Sequence, residues 1–252
     1  QPKQLAYTMF VTTAITLWKQ ALAIIGHACI TKAVLHGLDL VIKCMEGSMD
    51  LAESKDRISQ WGLDKSLAVF SPGMMTHIFF EIEIAKLKEL LIIDSFIESN
   101  TKISHLFEKI NSLTLNLARI SNDFVTLHRE LNSGGYTNTL IHLCQDKINE
   151  NPTDNTDLES LLDTCCKSPD QHERDQAKKA ILACMKHYNI FELIHTEWLD
   201  RLHSLEDCKI KCQQALPGPK GIELSKAIDQ LCRGHENLMV MYMIMSKVKG
   251  AT

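Results

Sequence analysis

Residues 103–131 read ISHLFEKINSLTLNLARISNDFVTLHREL, and their spacing decides the fold class. Ile103, Leu106, Ile110, Leu113, Leu117, Ile120, Phe124, Leu127 and Leu131 recur at alternating steps of three and four. That rhythm sets all of them on one side of a helix, roughly 40 Å long at about 1.5 Å per residue. Phe107, Leu115, Ala118 and Val125 widen the stripe beyond a two-stranded seam. A stripe this broad suits a helix enclosed in a bundle better than a lone coiled-coil pair.

Helices are expected on both sides of this stretch. Leu224, Ile228, Leu231, His235, Leu238, Tyr242 and Met245 repeat the four-three rhythm near the C-terminus. Start signals recur: Ser71-Pro72, Ser168-Pro169-Asp170-Gln171, Thr156-x-x-Glu159 and Asn189-x-x-Glu192 pair a capping residue with proline or with an acid or amide three positions on. Stops fall at Gly62, Gly134-Gly135, Asn151-Pro152 and Pro217-Gly218-Pro219. The spacing predicts helices over 3–30, 32–60, 73–98, 101–132, 137–150, 156–167, 170–187, 190–215 and 221–249, with a break or kink near 94–101. No alternating β-branched run argues for a sheet. The expectation is an all-α protein of long antiparallel amphipathic helices in one or two bundles. The division would be an N-terminal bundle over 1–133 and a C-terminal bundle over 134–252, or else one continuous helical domain.

Composition bounds the function classes. The 252 residues are 45% hydrophobic and 23% charged, ordinary for a globular chain and unlike a disordered one. A net charge of −4 with interspersed signs lacks the basic excess of a nucleic-acid binder, so no nucleic acid is expected as a partner. Leu5–Trp18 is uncharged, but it is shorter than the roughly twenty apolar residues of a spanning helix and carries four threonines, so no membrane span is expected. Nine cysteines, an odd number scattered through apolar stretches, read as reduced thiols and a cytoplasmic setting. The chain opens on Gln1, which raises the expectation of a piece of a longer protein.

Each candidate site has a structural competitor. Glu192-x-x-His195 has the spacing of a di-iron ligand pair, but no second copy exists in the chain. Cys208 and Cys212 share a helix face near His203, without the further ligands that zinc needs. Cys165 and Cys166 are adjacent and so diverge on a helix. No nucleophile elbow, phosphate loop or zincin motif occurs, so catalytic residues, cofactor and metal are all expected to be none. His235 falls on the apolar seam of the last helix, where a hydroxyl or carbonyl partner is expected across the core. Leu238–Met245 is an eight-residue apolar run with four methionines, covering every side of a helix. Methionine adapts to irregular apolar partners, so His235, Met239, Met241, Tyr242, Met243 and Met245 are the candidate partner-binding residues.

The expected function is a non-enzymatic adaptor or scaffold that binds a protein partner by docking of an amphipathic helix. Its alternatives are a homodimer or larger homo-oligomeric module, and a carrier or enzyme with a bundle cavity lined by Glu192, His195 or His235. The layout of tandem helical bundles resembles that of vinculin- and α-catenin-type cytoskeletal adaptors, a resemblance of architecture that assigns no residue a role.

Overall fold

The computed structural model describes residues 61–71, 101–132, 136–151, 153–216 and 218–249, with the isolated positions Leu35, Asp39, Ile42, Lys43 and Glu46. Among them are seven helices and no strand: α1 (Leu63–Phe70), α2 (Thr101–Leu131), α3 (Thr139–Glu150), α4 (Leu158–Lys167), α5 (Gln171–His187), α6 (Ile190–Ala215) and α7 (Pro219–Lys249). The protein is all-α, as the spacing predicts. The helices expected over 3–30, 32–60 and 73–98 lie outside the described residues, save for the five isolated positions.

α2 is the axis of the assembly. Ile103, Ile110, Leu113, Leu117, Ile120, Leu127 and Leu131 of its seam are buried, and Leu106 and Phe124 are half-buried. Around its middle, Thr114, Leu115, Ala118, Ser121 and Asp123 are buried as well. Enclosure on nearly every side requires neighbours on nearly every side, and α1, α3, α4, α6 and α7 all pack on it. α6 runs antiparallel to α2: Trp198 Nε1 donates to Ser121 Oγ at 3.0 Å, and Phe191 meets Phe124 edge-on at 6.0 Å. Ser121 Oγ in turn donates to the Leu117 carbonyl, so the indole N–H and the hydroxyl are both satisfied inside the core. α7 returns antiparallel to α6, with Lys209 against Asp229 and Gln213 against Ser225, each at 2.9 Å. α4 and α5 form a further hairpin, attached through α5–α6 and α4–α2. Among the described residues one apolar cluster runs from Leu63 to Met239 and is shared by helices on both sides of Gly134.

The helix starts show which capping residue prevails where several compete. α4 is capped by Asp157, which accepts Ser160 N–H at 2.9 Å, while Thr156 gives its own N–H to Asp154. α5 is capped by Asp170, which accepts His172 N–H, and Ser168 Oγ, two residues earlier, takes the Asp170 N–H. Asn189 makes no side-chain cap at all. It sits at φ 52, the left-handed conformation that asparagine tolerates. Its N–H bonds Lys186 O, closing α5, and its carbonyl accepts from Glu192 and Leu193, opening α6. α1 is an element that the spacing does not predict. Leu63, Leu67 and Phe70 turn one buried side of this short helix toward α2 and α3.

The α6–α7 turn depends on two glycines. Gly218 has φ +84, and at Gly221 a Cβ would lie 1.9 Å from the Leu216 carbonyl oxygen. That neighbour is backbone and cannot swing aside. Gly221→Ala is expected to cost about 1–3 kcal/mol by forcing the turn apart; an unchanged urea midpoint would show that the turn relaxes freely.

Candidate functional site

On α7 the residues facing inward are Leu224, Ile228, Cys232, His235 and Met239, all buried. His235 is 6% exposed and its Nδ1 has no hydrogen-bond partner among the described residues, where the sequence leads one to expect a hydroxyl or carbonyl. Burial lowers its pKa to about 4, which keeps the ring neutral near pH 7. Met239 is 5% exposed and belongs to the apolar cluster. The side chains of Met241, Tyr242, Met243 and Met245 lie outside the described residues.

The opposite side of α7 carries another regular line. Ile222, Lys226, Asp229, Arg233, Glu236 and Val240 follow each other at steps of four and three, so they form one outward seam. Ile222 is 50% and Val240 55% exposed, and about five helical turns, roughly 27 Å, separate them. Between them Arg233 pairs with Asp229 at 2.9 Å, and Lys226 with Glu223 at 2.8 Å. Met243 follows at the next position of that spacing. On the neighbouring α6, Ile210 is 54% exposed.

The other sequence candidates are not brought together into a centre. Glu192, His195 and His203 are exposed, whereas Cys208 and Cys212 are buried. Glu192 and His195 therefore do not line an interior cavity. Cys165 is buried and Cys166 exposed, diverging as adjacent helical residues must. No group of three His, Cys, Asp or Glu side chains among the described residues could hold a metal ion. No helix among them is long and apolar enough to cross a membrane.

A buried polar cluster where α2, α3 and α1 meet is not foreshadowed by any motif. Asp123 is fully buried. Its Oδ2 accepts from Arg119 Nε at 2.9 Å and from Thr139 N–H at 2.8 Å. Desolvation pushes its pKa up to about 7 against the pull of Arg119, and Glu130 adds to the rise. Asn138 accepts Leu140 N–H as the cap of α3, while its Nδ2 donates to Asp123 O and to Glu130 Oε2. Arg119 also donates to Thr137 O. These bonds fix the α2–α3 connection to α2.

His142, fully buried, extends the cluster to α1. Nδ1 lies 2.8 Å from Trp61 O and Nε2 2.8 Å from Tyr136 O. Two carbonyls favour a doubly protonated ring, but burial, helped by Arg119, outweighs them and lowers the pKa to about 4. Trp61 and Phe70 stack at 5.3 Å, and Arg119 lies over Phe70 at 5.9 Å. Asp146 accepts Leu63 N–H at 2.8 Å, and Gly62 leaves room for that carboxylate. Every one of these contacts fastens α1 to α2 and α3, which is a structural task. The one sequence signal was Arg119 and Asp123 at an i,i+4 spacing inside an otherwise apolar stripe.

Among the described residues an open groove of about 990 Å3 lies between the end of α3, the 154–157 segment and α4. Asp154, Asp157, Glu159, Asp163 and Glu173 line it, with Lys167 as the single cation. Asp154 and Asp163 are engaged by Tyr188 and Tyr136 respectively. No protein-family model, curated protein or solved structure matches the chain.

Proposed function

We propose that this protein is a non-enzymatic helical adaptor that docks an amphipathic helix of a protein partner along the outer seam of α7. The observation that carries the proposal is the line from Ile222 to Val240: two half-exposed apolar residues about 27 Å apart, with both signs of charge between them. A complementary helix has apolar residues near both ends and mixed charges in the middle. The Lys226–Glu223 pair is exposed and worth little by itself, and the exposed Arg233 leans on an Asp229 that Lys209 of α6 already holds. A partner's charges can therefore replace the first pair and engage Arg233 at low cost. Apolar anchors then supply affinity, and charge order supplies register. A cytoplasmic, reducing setting belongs to the same proposal, since the described cysteines are free thiols.

The test is the double variant Ile222→Glu/Val240→Glu, which leaves the inward face of α7 untouched. It is expected to keep its helical content and unfolding midpoint and to lose the partner. Unchanged partner binding sinks the proposal. Light-scattering mass across a wide concentration range separates the self-association alternative: a constant monomer mass supports a heterologous partner, and a stable doubled mass makes a second copy the occupant.

A further inference from the structure

We infer that Cys144 and Cys184 are a redox-active pair, oxidised by hydroperoxides to a disulfide that ties α3 to α5. Their sulfur atoms are 3.6 Å apart although the residues lie 40 positions apart in the chain. A disulfide needs about 2.05 Å, so closure asks the two sulfurs to approach by roughly 1.5 Å. The two helices are already held in place around the pair. Tyr188, which closes α5, accepts from Asn151 Nδ2 at the end of α3 and donates to Asp154 in the next segment. The sulfurs therefore meet as a standing arrangement of two secured helix ends.

The two thiols differ in a way that assigns them roles. Cys184 is half-buried, the more accessible of the two, while Cys144 is fully buried. Either sulfur can donate the S–H···S hydrogen bond, and when Cys144 donates, the bond favours the Cys184 thiolate over its thiol. Thiolate character and access decide which cysteine reacts. The Cys184 thiolate attacks the peroxide oxygen, breaks the O–O bond and releases hydroxide, leaving a sulfenic acid. Cys144 then attacks that sulfur, its proton leaving with the departing hydroxide as water. The two thiols lose two protons and two electrons, and hydrogen peroxide becomes two waters, an organic hydroperoxide one water and one alcohol. A dithiol reductant reverses the bond by exchange. The cross-link encloses α4 and fixes the α4–α5 hairpin covalently to α3.

The test treats the whole reduced chain with a small excess of hydrogen peroxide and maps peptides without reduction. The expected result is a Cys144–Cys184 linked peptide, lighter by two hydrogens, formed before oxidation of the exposed Cys166 and undone by dithiothreitol. In Cys144→Ser, Cys184 is expected to stop at a sulfenic acid that dimedone traps; in Cys184→Ser, Cys144 is expected to stay reduced. The mapping on the unsubstituted protein stands even if a variant folds poorly. Oxidation of Cys166 with Cys144 and Cys184 left as thiols, or linkage of either one to a different cysteine, overturns the assignment.

Discussion

Replacing Leu117 with alanine is expected to lower the unfolding free energy by about 2–5 kcal/mol, towards the upper part of that range. Leu117 has no exposed surface and sits in the most enclosed part of α2, between Leu113 and Ile120 on the seam. The cost of a truncated core residue grows with the cavity left behind, and the cavity persists where the surroundings cannot move in. Here they are held. The Leu117 carbonyl accepts from Ser121 Oγ, which is bonded to Trp198, and Arg119 and Asp123 pin the adjacent turn to Thr137 and Thr139. Urea unfolding of Leu117→Ala measures the loss. A change within about 0.5 kcal/mol, the range of ordinary surface substitutions, would mean that the seam is not core.

Acidification from pH 6.5 to pH 4 is the second large effect, and three buried groups set its sign. His142 and His235 drop from 6.5 to about 4 on folding. Between those values the unfolded chain takes up protons that the folded one refuses, so stability is complete above 6.5 and falls as pH approaches 4. Each histidine contributes about 3 kcal/mol to that loss. Asp123 works in the opposite direction: raised from 3.8 to about 7, it holds a proton in the folded state that the unfolded chain releases. Its contribution favours folding by about 4 kcal/mol at the acid end and is lost as pH rises through 7. The net expectation from these three groups is a loss of about 2 kcal/mol on acidification. Asp123→Asn removes the offset and is expected to steepen the loss, whereas His235→Gln is expected to flatten it. Urea midpoints across the range check the signs, and a shallower profile for Asp123→Asn would contradict them.

The long helices were legible because each carried at least one clear signal: a four-three apolar rhythm in α2 and α7, a capping residue ahead of α4, α5 and α6, and stop residues on both sides of α3. Six of the seven described helices lie within two residues of where those signals put them. α1 escaped because eight residues between Gly62 and Ser71 are too few for periodicity to stand out, and its stability comes from Asp146, His142 and Phe70 contacts made at long range. The caps were misjudged where two competent residues stood together. Ser168 and Asp170 have the same chemistry, and the packing of α4 against α5 selects between them. Asn189 reads as a side-chain cap, but it is needed in the left-handed conformation that joins two helices with a single residue.

The site was less legible, for physical reasons. An Arg–Asp pair one turn apart is usually a solvated surface pair, and only the arrival of Thr139 and Asn138 from across the turn makes Asp123 a buried anchor. The Cys144–Cys184 contact joins two helices that nothing in the chain marks as partners. The Leu238–Met245 run drew attention to the end of α7 without telling one side from another, since eight apolar residues cover them all. Packing separates the sides: His235 and Met239 turn inward, and Val240 turns outward in line with Ile222.

The most direct test of the adaptor assignment places a photo-activated cross-linking residue at Ile222 and, separately, at Val240 in cells, with the exposed Lys179 of α5 as the control position. The account predicts adducts to one and the same protein from Ile222 and Val240, and none from Lys179. Adducts absent from both seam positions, or equally abundant at Lys179, would contradict it.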